Sequence, residues 1–169
     1  TAPALAGIMA DGLIAEQLMA GITDPAKSGL FFLVDHPLVA QVATGMTLPE
    51  AWELIRNIPF EIAVTIRPVM VDPAMLTTFL LTAHLIIFWL SQDSNVTPPV
   101  CLAAFTAAGI AGSPPMATGF ESWKIAKGLY VVPLLFAYTP LISGDLIEVL
   151  QIGFFALFGI YATNAIIQW

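Results

Sequence analysis

The chain has 169 residues, of which 58% are hydrophobic and 10% charged, and its formal net charge is −7. Soluble domains carry about 25% charged residues, so the composition argues against an ordinary soluble domain and places the chain among membrane proteins. The acidic balance, with no basic cluster, excludes a nucleic-acid partner, and the single cysteine, Cys101, excludes an internal disulfide.

Charge is unevenly spread: residues 1–73 hold eight acids and three bases, and residues 74–169 hold four acids and two bases. The chain opens on Thr1-Ala2-Pro3, with neither an initiator methionine nor a basic leader. That start reads as a piece of a longer protein with no visible signal peptide. A boundary is expected near Asp72-Pro73, dividing a membrane or interfacial helical segment (1–73) from a more apolar C-terminal part (74–169).

Residues 3–20 form an apolar stretch interrupted by Asp11 and Glu16, whose carboxylates should face protein or water rather than lipid. Residues 29–45 are broken by Asp35-His36-Pro37, and His36 is expected in a loop role because no nucleophile accompanies it. Thr47-Leu-Pro-Glu50 has capping-box spacing with Pro49 in the first turn. Leu48, Ala51, Trp52 and Ile55 follow at helical spacing, predicting a short amphipathic helix lying at a membrane interface. Glu61 and Arg67 sit in a further marginal segment, 58–71.

From Ala74 to Leu90 the only ionisable side chain is His84. A span takes about 20 residues, with a usable range near 17–25, so this segment is just long enough, with Trp89 as an interface anchor. His84 is expected to be a packed histidine bonded to a neighbouring helix. Residues 100–112 are too short to cross alone and suit the second arm of a re-entrant hairpin or half of a broken helix. Residues 128–142 are apolar, kinked by Pro133 and stopped near Pro140. Residues 146–168 are the best single transmembrane candidate, with Trp169 at the end. Lys124 and Lys127 flank the 128–142 stretch, and the bias of basic residues to the cytoplasm predicts 113–127 inside, 143–145 outside and Trp169 inside.

Between the apolar segments lies Ser91-Gln-Asp-Ser-Asn-Val-Thr-Pro-Pro-Val100. Prolines have no N–H to donate, and Pro98 pushes Thr97 out of the helical region. Inside a bilayer, broken backbone is tolerated only where it is buried or lines a cavity, and discontinuous helices of this kind form the binding sites of secondary transporters. The same run also fits an ordinary extramembrane loop, and both readings stand on pattern alone. Under the first, Ser94, Asn95, Thr97 and Pro99 are candidate substrate-binding residues. The backbone carbonyls of Asp93, Val96 and Pro98 are candidate cation ligands, and the Asp93 carboxylate tunes the site electrostatically. Metal-ligand spacing, a glycine-rich phosphate loop and a nucleophile elbow are missing from the sequence, so no enzyme is expected.

The run 96–119 (VTPPVCLAAFTAAGIAGSPPMATG) closely resembles the large or fused permease of tripartite ATP-independent periplasmic (TRAP) transporters, in the branch served by TAXI-type binding proteins. Thr97-Pro98-Pro99-Val100, Ala103-Ala104-Phe105, Ile110-Ala111-Gly112, Met116 and Thr118-Gly119 carry the likeness, with Ala83-His84-Leu85 and Phe88 before them. It covers roughly residues 74–142. Cys101 stands where that family usually has Gly or Ala. The family's second hairpin motif has only a faint echo here in Gly45-Met-Thr-Leu-Pro-Glu50.

The resemblance implies an all-α integral membrane helical bundle with a discontinuous helix at the T-P-P motif. It also implies a multi-pass place in the bacterial cytoplasmic (inner) membrane. The implied function is sodium-coupled import of an organic anion such as a carboxylate, with sodium as coupling ion and no other cofactor. The implied partners are a periplasmic solute-binding protein, the remaining permease segments or a small membrane subunit, and the lipid bilayer. The alternative is a non-transporting membrane scaffold or assembly subunit.

Overall fold

The computed structural model describes residues 1–167, and the described residues form helices joined by turns, with no strand. They fall into two compact units, the first from Thr1 to Leu81 and the second from Thr82 onward.

In the first unit, α1 (Ala2–Ala20) starts with Pro3 in its first turn and ends at Gly21, whose φ of 82° is open to glycine at little cost. That ending matters because the chain crosses itself there. Ile22 N–H donates to the Val42 carbonyl at 2.8 Å and Met46 N–H to the Leu18 carbonyl at 3.2 Å. A Cβ on Gly21 would sit 2.8 Å from the Ala43 carbonyl oxygen, and one on Gly45 (φ 90°) 2.7 Å from that of Met19. The short α2 (Pro25–Ser28) is capped by the Asp24 side chain, and the 3₁₀ turns Gly29–Leu33 and Pro37–Gln41 follow. His36 caps the second of these, its Nδ1 accepting from Leu38 N–H at 3.4 Å, which is the expected loop role.

Helix α3 (Leu48–Arg56) begins where the capping spacing places it, with Glu50 Oε2 accepting from the Thr47 N–H at 2.8 Å and the Thr47 hydroxyl at 2.6 Å. Its apolar face is not free to meet lipid. Ala51, Leu54 and Ile55 are buried in a core shared with Ile14, Leu18, Phe31, Ile66 and Met70. The amphipathic pattern was compatible with either surface, and α1 supplies the nearer one. Helix α4 (Phe60–Met70) completes the unit.

Asp72 caps α5 (Pro73–Asp93) by accepting from Ala74 N–H at 2.7 Å. The units divide inside this helix rather than at Asp72-Pro73, because its first turns pack on the N-terminal core through Leu76 and Phe79. In the second unit follow α6 (Leu102–Ala111), α7 (Pro115–Ala126), a 3₁₀ turn (Lys127–Tyr130), α8 (Val131–Tyr138) and α9 (Leu146–Ile167). The break in the 128–142 stretch comes at the 3₁₀ turn, not at Pro133. That proline lies in the first turn of α8, where a missing N–H costs nothing. Thr139, ahead of Pro140, is extended (φ −128°, ψ 156°) and ends the helix as the rule for residues before proline requires.

Two helices, α5 and α9, are long and apolar enough to cross a membrane. A third span exists only if α1 and Pro25–Leu33, bent by 120°, count as one broken segment. Trp169, expected as the last anchor, lies outside the described residues. Trp89 is already engaged: its indole N–H donates to the Leu129 carbonyl at 3.0 Å and its ring meets Phe136 edge-on.

Candidate functional site

The polar run forms the turn between α5 and α6, and its backbone is largely self-satisfied. The Asp93 carbonyl accepts from Val96 N–H at 3.1 Å, and the Ser94 and Thr97 carbonyls both accept from Cys101 N–H at 3.1 Å. The Asn95 carbonyl accepts from Ala103 N–H at 3.1 Å. Among the described residues, the carbonyls of Val96, Pro98, Pro99 and Val100 accept no hydrogen bond. Of the three carbonyls expected to face a cation, two are therefore unengaged and one is shared. The helix after the turn starts at Leu102, because these back-bonds hold the chain in a loop.

The side chains separate. Ser94 Oγ donates to the Ser91 carbonyl at 2.6 Å and the Asn95 amide to the Gln92 carbonyl at 3.2 Å, so both turn back on α5. Thr97 points elsewhere: its hydroxyl lies 2.6 Å from the Tyr130 hydroxyl. These two residues, with Pro98, Phe120 and Trp123, line a cavity of about 400 Å³. A second cavity of about 400 Å³ is lined by Val96, Ser122, Ile125, Leu129, Ile160 and Asn164, among others. Thr97 and Val96 thus line different cavities. Pro99 lines neither, and it follows Pro98 through a cis peptide bond.

Cys101 holds the turn's exit. It is fully buried, unpaired, and left-handed at φ 44° and ψ 37°, a conformation unusual for a residue with a side chain. Gly119 of α7 admits this close packing, since a Cβ there would lie 3.0 Å from Phe105 and 3.1 Å from the Cys101 sulfur. Asp93 is 5% exposed, and its Oδ2 is buried with no hydrogen-bond donor among the described residues. Asn164 Oδ1, on α9, is likewise buried and unpartnered.

Tyr130, Phe120, Trp123 and Asn164 were not singled out by sequence. Asn164 carried a usable signal, a lone amide late in an apolar span. Tyr130 carried none, because a tyrosine between a glycine-leucine pair and two valines is ordinary at the head of a helix. No protein family, curated protein or solved structure matches the chain.

Proposed function

We propose that the chain is the C-terminal part of a TRAP-type permease in the bacterial inner membrane, where it contributes half of a sodium-coupled site for an organic anion. α5 and α9 are spans, and α6 with the turn before it is the second arm of a re-entrant hairpin. The observation that carries the reading is the turn itself. Between apolar α5 and α6, the Thr97 hydroxyl meets that of Tyr130, from the 3₁₀ turn after α7, at a cavity, while the carbonyls of Val96, Pro98, Pro99 and Val100 accept no hydrogen bond among the described residues. Oxygen ligands suit a hard cation such as sodium, and the N-terminal end of α6 is the positive end of its dipole, which favours a carboxylate. A periplasmic binding protein delivers the solute, and the opposing hairpin comes from the rest of the permease.

The scaffold reading draws on Ser94 and Asn95, whose polar groups are spent locally as in a plain loop. Sodium-dependent uptake by the full-length permease in proteoliposomes, supplied with its binding protein, separates the two. Thr97→Val removes the hydroxyl while keeping the branched shape. Loss of a buried hydrogen bond or ligand costs about 1–3 kcal/mol, a roughly five- to hundredfold weakening of sodium or substrate affinity. Ser143→Ala, in the turn before α9, is the matched control and should be near neutral. Identical sodium dependence in the two variants would favour the scaffold.

A further inference from the structure

We propose that the cavity at Thr97 and Tyr130 binds a planar aromatic ring carrying an anionic oxygen substituent. The inference rests on the reading of the turn as part of a solute site and adds to it the shape and chemistry of the solute. The cavity measures about 400 Å³ and is walled by Phe120, Trp123 and Tyr130 together with Thr97 and Pro98. A benzene ring is held in roughly 150 Å³, so one ring and its substituent fit with room to spare.

Phe120 and Trp123 lie one turn apart on α7 and so share a face of that helix, while Tyr130 enters from the 3₁₀ turn that follows. Among the described residues, ring–ring contacts join Trp89 to Phe136 and Phe154 to Phe155, and none involves these three. Three aromatic side chains around one open space therefore keep π surfaces without a partner ring. A ring inserted there gains offset or edge-on contacts with them, which a saturated ring of the same size does not. Polar groups fix the substituent. The Thr97 and Tyr130 hydroxyl oxygens are 2.6 Å apart, and whichever hydroxyl donates, the other keeps its own O–H for a ligand oxygen. The sign of the charge follows from Lys127, whose ammonium stands 4.8 Å from the centre of the Trp123 ring. No carboxylate among the described residues lines the cavity to offset it. An organic cation, a common guest of aromatic cages, meets like charge there, whereas an anionic oxygen is attracted. Lys124 adds little to this field, because Glu121 neutralises it at 2.6 Å.

Ligand-detected NMR titration of the full-length protein in detergent tests this, with benzoate, cyclohexanecarboxylate and benzyltrimethylammonium as probes. Benzoate should bind about tenfold or more tighter than cyclohexanecarboxylate, although the saturated acid has the same charge and the more apolar ring. It should also bind tighter than the ring-bearing cation. Phe120→Leu, at a partly exposed position that tolerates substitution, keeps apolar bulk and removes one π face. That variant should weaken benzoate by about fivefold and leave cyclohexanecarboxylate unchanged, a split that loss of folding does not produce. Equal binding of the two acids by the wild type, cation binding as tight as that of benzoate, or no saturable benzoate binding would overturn the proposal. So would a Phe120→Leu variant that melts as wild type does and binds benzoate undiminished. Each of those results leaves the permease reading standing, whereas wild-type uptake that ignores sodium would bring down that reading and leave the ring site intact.

Discussion

Two side-chain pairs show how differently a hydrogen bond weighs by setting. The Thr97–Tyr130 hydroxyl pair joins the turn to the 3₁₀ segment at 2.6 Å and is half-buried. Tyr130→Phe keeps the ring and strands the Thr97 hydroxyl. It should cost about 0.5–1.5 kcal/mol, read as a lowered thermal midpoint of the detergent-solubilised protein. A midpoint equal to wild type would mean that water replaces the partner. In the first unit, Arg67 grips Asp11 with two bonds of 2.9 Å, and the Cβ of any residue replacing Gly7 would stand 3.0 Å from the guanidinium. The hydrogen bond that Arg67 donates to Asp11, against some desolvation, holds Arg67 above its usual range, so it is charged at every working pH. Arg67→Met leaves a mostly buried carboxylate alone and should destabilise by about 1–3 kcal/mol, less than a fully buried pair would. Asp11→Asn together with Arg67→Met should recover part of that loss, and failure to do so would show that packing of the arginine stem dominates.

At the scale of elements, the ends of helices decide where the chain turns. Glu50 at the start of α3 is pulled below its ordinary value of 4.5, first by the Thr47 hydroxyl and then by the Thr47 N–H. A carboxylate depressed by folding stabilises above its unfolded pKa, and the contribution fades as pH falls through the folded value. Protection of the first-turn amides of α3, relative to their intrinsic exchange rate, should therefore fall in acid below about pH 4.5, and Glu50→Gln should abolish that acid dependence. The crossing at Gly21 and Gly45 is less forgiving. Alanine at either position meets a carbonyl oxygen at under 3 Å in a left-handed backbone. Strain of that kind costs about 1–3 kcal/mol, so Gly45→Ala should unfold at lower denaturant than Gly29→Ala, whose Cβ meets nothing within 4 Å.

Across the whole molecule the two units bury their apolar residues unequally. The first has a continuous core from Ala10 to Val71. The second leaves Ile110, Tyr138, Phe155 and Leu157 more than two-thirds exposed, and α9 is predominantly apolar with almost no burial. A surface of that kind fits lipid or neighbouring helices rather than water. Cysteine labelling tests the orientation inferred from Lys124 and Lys127: Ser143→Cys in intact cells should react with an impermeant maleimide from outside, and reaction from the cytoplasm alone would reverse it. Residues 1–169 reconstituted by themselves should show no sodium-driven uptake, since an inverted-repeat site needs its opposing hairpin.

The helical class, the two long apolar helices, the cap at Thr47–Glu50 and the break before α6 were all legible in sequence. Each depends on groups within a few residues of one another: an apolar run, a proline lacking its N–H, a carboxylate three positions past a threonine. Tertiary structure alone decided the rest. Asp11 and Arg67 meet across 56 residues and Thr97 and Tyr130 across 33. The apolar face of α3 turned to α1 instead of to lipid, because an amphipathic stripe specifies that it will be buried but not by what. The state of Asp93 was equally hidden. Its Oδ2 is buried with no hydrogen-bond donor among the described residues, and only the folded chain sets that.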